Sequence, residues 1–117
     1  MNEKNPLPVE YLFLDAEWNQ CLGTTGIENR ELMQIGIVAA DENFREIRRF
    51  SETICPNRLD LLNEDNIAVL HMSRHSVVQG KSEKEVLGKV RKLFPTYRYL
   101  VVWTEETYAL LALRMKA

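Results

Sequence analysis

The segment Tyr11-Leu12-Phe13-Leu14 is an apolar, aromatic run that follows Pro8 and leads directly into Asp15-Ala16-Glu17-Trp18. A run of that length and composition reads as a buried strand. Residues two apart on a strand project from the same face, so Asp15 and Glu17 would point the same way from the end of a core element. Two like charges roughly 5–7 Å apart repel each other, and partial burial adds a desolvation cost. A divalent cation relieves both. Mg²⁺ or Mn²⁺ takes hard oxygen ligands and is typically held by one or two carboxylates together with substrate phosphate. Two such ions about 4 Å apart can activate water and stabilise the leaving oxygen in phosphodiester hydrolysis. A bare D-x-E can equally end a strand in solvent, and local context leaves both readings open.

The rest of the chain alternates between the two structural periods. Asn19 to Arg30, with Gly23-Thr24-Thr25-Gly26, reads as a loop. Leu32 to Ala40 reads as a second strand, Asp41-Glu42-Asn43 as a hairpin turn, and Arg45 to Ile54 as a third, half-exposed strand. Leu61 to Leu70 suits a short helix, and Met72 to Gly80 a connecting loop that carries His71 and His75 at or near its start. Ser82 with Glu85 three residues on predicts a capping box. Val86, Leu87, Val90, Leu93 and Phe94 then follow at helical spacing until Pro95. Tyr99 to Trp103 reads as a fourth main strand, and Thr104 caps a last helix from Glu105 to Met115. Three antiparallel strands followed by a helix-crossover strand imply a mixed α/β sheet. At 117 residues, one domain spanning 1–117 is expected.

Composition narrows the function classes. With 15 Lys and Arg against 17 Asp and Glu, the net charge is −2, so any attraction for nucleic acid must come from a local basic face. Arg45, Arg48, Arg49 and Arg58, and Lys89, Arg91, Lys92 and Arg98, are the groups available, though such groups are usually solvated faces. No apolar run reaches the roughly 18–20 residues that cross a bilayer, and the polar, proline-containing opening stretch is not a signal peptide. Cys21 and Cys55 lack zinc-site spacing and read as free thiols. A cytoplasmic protein with no membrane partner is expected.

YLFLDAEWNQ followed by RELMQIGIVAADEN resembles the opening of the DEDD 3′–5′ exonucleases, whose fold is ribonuclease H-like. That family begins with an apolar strand ending in D-x-E and continues with E-[apolar]-x-Q-I-G, which Glu31-Leu32-Met33-Gln34-Ile35-Gly36 matches. The resemblance spans nearly all of the chain. It implies that Asp15 and Glu17 ligate two Mg²⁺ or Mn²⁺ ions, that Trp18 and Asn19 border the 3′-terminal nucleotide, and that the partner is a single-stranded DNA or RNA 3′ end. The family's second motif places an aspartate after the fourth strand. Trp103-Thr104-Glu105-Glu106-Thr107-Tyr108 has none, which leaves Glu106 as first substitute and Glu105 as second; first-turn acids also complement a helix dipole. The third motif, His or Tyr with a late Asp, has no place here, and neither His71 nor His75 replaces it.

Two expectations follow. The chain is either a fragment, truncated at its C-terminus, of a metal-dependent 3′–5′ exonuclease, weak or inactive alone, or a non-catalytic nucleic-acid-binding or assembly module on the same scaffold. The apolar helix Ala109-Leu110-Leu111-Ala112-Leu113 calls for a partner surface, either further chain elements or a second subunit in a homo-oligomer.

Overall fold

A computed structural model describes residues 8–116, with side chains through residue 114. Strands β1 (Tyr11–Gln20), β2 (Arg30–Ala40) and β3 (Glu46–Cys55) form an antiparallel meander. Helices α1 (Glu64–Val69) and α2 (Arg74–Val78) lead to a two-residue strand β4 (Lys81–Ser82), then α3 (Glu83–Leu93), β5 (Tyr99–Val101) and α4 (Glu105–Lys116). The sheet runs β4-β3-β2-β1-β5, with β4 parallel to β3 and β5 parallel to β1. The mixed α/β sheet is therefore as the sequence predicts, with β1 between an antiparallel and a parallel neighbour.

Alternation divides the sheet into two unlike faces. Leu12, Leu14 and Ala16 of β1 join Leu32, Ile35, Ile37 and Ala39 of β2 and Ile54 of β3 under Val86, Leu87, Val90 and Phe94 around α3 and Leu111 of α4. The α3 stripe holds as predicted except at Leu93, which lies at the helix end and is exposed. The opposite face carries Phe13, Asp15 and Glu17, and among the described residues no helix covers its middle.

One extra residue reshapes that second face. Glu17 pairs with Gln34, but Trp18 pairs with Leu32, so Met33 is a bulge residue. Leu32 and Ile35 enter the main core, while Met33 points away from it into a second cluster with Leu62, Ile67 and Val77. The short helices α1 and α2 thus cover one end of the second face.

Three local predictions are corrected and one is extended. Asn19 and Gln20 belong to β1, not to the following loop, because Asn19 and Gln20 pair with Glu31 and Arg30 across the ladder. The stretch from Met72 to Gly80 contains α2, capped reciprocally by Ser73 and Ser76, and His75 lies on that helix. Lys81 and Ser82 pair with Ile54 and Cys55, which makes Ser82 both a strand end and the cap of α3; its hydroxyl accepts from Glu85 N at 3.2 Å. Gly80 permits this close approach, since a Cβ there would lie 2.9 Å from the Thr53 carbonyl oxygen. Strand β5 ends at Val101, short of the predicted Trp103, which is 84% exposed.

The last helix is anchored within its own chain. Leu110 and Leu111 are buried, Arg114 pairs with Glu83 at 3.6 Å, and the Arg114 guanidinium donates to the Arg30 carbonyl. Its apolar stripe is in large part used internally, leaving Tyr108 and Leu113 exposed.

Candidate metal and nucleic-acid site

Asp15 sits opposite Gly36 on β2, and Gly36 sits opposite Ser51 on β3; Glu17, Gln34 and Thr53 form the next row. Asp15, Glu17, Gln34, Gly36 and Ser51 line one polar depression of about 180 Å³. The two carboxylates therefore share a surface, as the i, i+2 spacing requires. Partial burial raises the pKa of Glu17 above its ordinary value, and the negative charge of Asp15 raises it further. A positive charge between the two acids would remove the repulsion and supply the solvation that burial took away.

The donor set consists of hard oxygens, two carboxylates with the Gln34 amide and the Ser51 hydroxyl beside them. The set could offer a divalent cation two carboxylates and neutral oxygens. It falls short of a full two-ion site: among the described residues no group of three or more His, Cys, Asp or Glu side chains is placed to hold a metal. Glu106 is not brought to the pair. Its carboxylate lies 3.3 Å from the Arg30 guanidinium, an exposed ion pair that ties the start of α4 to the start of β2.

Trp18 and Asn19 also have internal roles. The Trp18 ring packs on the main core, and its indole N–H is buried without a hydrogen-bond partner among the described residues. Asn19 is fully buried. Its side-chain oxygen accepts from Asn63 N at 2.8 Å, and its amide donates to the Leu61 carbonyl at 3.2 Å. Both polar ends of Asn19 thus pin the segment before α1 to β1, which leaves Asn19 no surface of its own, while Trp18 is partly exposed on the core face of β1. Glu31, from the same resemblance motif, is another buried clamp. It accepts from Asn57 N at 3.1 Å and Arg58 N at 3.2 Å and pairs with the Arg58 side chain at 3.7 Å.

Gln34 and Gly36 entered the sequence reading only as part of the matched motif, with no role at the site, and Ser51 was not singled out. Alternation within Gln34-Ile35-Gly36-Ile37 could have placed the first pair opposite the core. Ser51 carried no signal, because its strand mixes charged and apolar residues and holds an extra residue, Ile47, opposite the Ala39–Ala40 step.

Comparison with solved structures supports this geometry at the level of fold. The chain superposes with a TM-score of 0.71 and 15% identity on the nuclease domain of a 3′ exonuclease of the DEDDh family bound to rAMP, covering 96% of this chain and 61% of that one. A 3′-exonuclease that recognises the 3′ end of the histone mRNA stem-loop gives a TM-score of 0.70 at 16% identity, over 90% of this chain and 39% of that one. The fold is that of the DEDD exonucleases. E. coli Exonuclease I in complex with an oligonucleotide also matches, at a TM-score of 0.61 and 15% identity over 79% of this chain and 19% of that one. The chain thus spans from about a fifth to about three fifths of these proteins' lengths. No protein-family profile and no curated protein matches it by sequence. Among the described residues no helix is long and apolar enough to cross a membrane.

Proposed function

We propose that this chain carries the metal-holding strand of a 3′–5′ exonuclease site, with Asp15 and Glu17 positioning Mg²⁺ or Mn²⁺ against a terminal phosphodiester of single-stranded DNA or RNA. The observation that carries the reading is the side-by-side placement of these two acids on an open sheet face, with Glu17 destabilised as an anion by burial and by Asp15. Bound metal would lower the pKa of a water and neutralise charge on the phosphate oxygens. The residues here would do the rest. Asp15 and Glu17 hold the metal, Gln34 and Ser51 offer hydrogen bonds to its waters or to the phosphate, and Gly36 leaves the floor clear, since a Cβ there would meet nothing within 4 Å.

A second reading has its own support. Among the described residues no third acid joins the pair, and Glu106 is held by Arg30. The scaffold would then bind a nucleic-acid end with metal and without hydrolysis.

Release of mononucleotides from a 3′-labelled oligonucleotide in Mn²⁺ separates these. The exonuclease reading expects metal-dependent release that falls by at least about a hundredfold in Asp15→Ala, the scale of removing a directly acting charge-stabilising group. Release that survives Asp15→Ala overturns the metal role, and metal-dependent binding without release selects the second reading.

A further inference from the structure

On the layer away from the acids, two ammonium groups share one carboxylate. Glu52 follows Ser51 on β3 and so points to the opposite face of the sheet. Its Oε1 lies 3.1 Å from Lys81 Nζ of β4 and 3.8 Å from Lys89 Nζ of α3. Two positive charges therefore meet one negative charge, and the surplus falls on the amine further from it. Glu85, one turn before Lys89 on α3, attracts both ammoniums but is the smallest influence on each. Contact with Lys81, and then loss of hydration, lowers the pKa of Lys89; contact with Lys89, and then with Glu52, raises that of Lys81. The shared proton stays with Lys81.

Helix α3 opens a depression beside this pair, lined by Ser82, Lys84, Glu85, Gly88, Lys89 and Lys92. Lys84, Gly88 and Lys92 follow at four-residue steps, so they share one face of the helix over about 12 Å. Packing gives no reason for the glycine: a Cβ there would meet nothing within 4 Å, and glycine is a poor residue for a helix interior. Its effect is a bare stretch of helix backbone between two exposed lysines and next to the Lys89 amine. That stretch suits a small electrophile with an anionic end, which Lys84 and Lys92 attract while the reactive carbon faces Lys89.

We propose that Lys89 is a nucleophilic amine acylated by acyl phosphates, with the Lys81 charge beside it as the activating group and Lys84 and Lys92 as the phosphate contacts. A lysine next to another cation is a recognised form of activated amine. The nitrogen attacks the carbonyl carbon, a C–N bond forms as the C–O bond to phosphate breaks, inorganic phosphate leaves, and the amine proton passes to water. The product amide is neutral. Lys81 keeps its ion pair with Glu52, so acylation leaves the contact between β3 and β4 in place. Asp15 and Glu17 lie on the other face of the sheet and take no part, so the outcome is independent of the reading of the metal site.

The test is to treat the full chain with acetyl phosphate at neutral pH and follow acetylation at each lysine by peptide mass spectrometry. Lys89 is expected to react at least about threefold faster than Lys84 and Lys92. Exposure alone predicts the reverse order, because Lys84 and Lys92 are exposed and Lys89 is half-buried. Lys81→Gln removes the neighbouring charge and is expected to bring Lys89 down to the rate of Lys92, whereas Glu52→Gln is expected to raise it. Both side chains reach solvent, so these changes are of the kind a fold tolerates. Lys84→Gln combined with Lys92→Gln is expected to slow acetylation of Lys89 by acetyl phosphate more than by acetic anhydride, which carries no charge. Lys89 reacting no faster than Lys84 and Lys92, or at an unchanged rate in Lys81→Gln, overturns the proposal. Equal effects of the double variant on the two reagents overturn the assignment of the donor.

Discussion

The two faces of the sheet differ in what they contribute. On one, Leu12, Leu14, Leu32, Ile35 and Ile37 lie under α3 and α4 with almost no exposure. On the other, the same strands present Phe13, Asp15, Glu17, Gln34, Gly36 and Val38 to an open groove. The covered face provides stability through removal of apolar surface from water. The open face holds Glu17 as an anion disfavoured by partial burial and by the neighbouring charge of Asp15. A single bulge at Met33 keeps the two roles apart, turning one β2 side chain to seal the end of the open face while its neighbours stay in the core.

If this division is right, truncations on the two faces should have very different costs. Ile35→Ala is expected to destabilise by about 2–5 kcal/mol and Val38→Ala, three residues away on the same strand, by less than about 1 kcal/mol. Urea unfolding midpoints compare them directly. Equal losses would mean that the second face is packed as tightly as the first.

A smaller effect concerns Glu17. A carboxyl whose folded pKa lies above its unfolded value binds protons more readily when folded, so its charged form costs stability. That cost is fully present above the raised folded value. It shrinks as pH falls through that value and is gone below the ordinary glutamate range. Glu17→Gln is therefore expected to raise the urea midpoint at pH 7 in the absence of metal and to converge on the wild type in acid. A lower midpoint at pH 7 would show that the anion is stabilised where it sits.

Much of the architecture could be read from the residues. The apolar run into Asp15, the strand from Leu32 to Ala40 and the Ser82 cap each have a local cause, and each appears where the pattern puts it. What could not be read depended on long-range pairing. Asn19 looked like a loop residue because its role is to bond Leu61 and Asn63, more than forty positions on, and no local pattern encodes that. Trp18 is a different case: the same two-residue period that pairs the acids sends it to the opposite face, where it packs on the core, so its placement was legible locally. Glu106 was chosen for its place after β5, whereas Arg30 at the far end of β2 decides where its carboxylate goes. The shared face of Asp15 and Glu17 needed only the two-residue period of a strand.

The most direct test of the account is whether the two acids gather a cation. Crystals of the chain soaked in manganese and measured at the manganese absorption edge should show an anomalous peak between the Asp15 and Glu17 carboxylates, absent from Asp15→Asn crystals. No peak, with the two carboxylates turned apart into solvent, would contradict it.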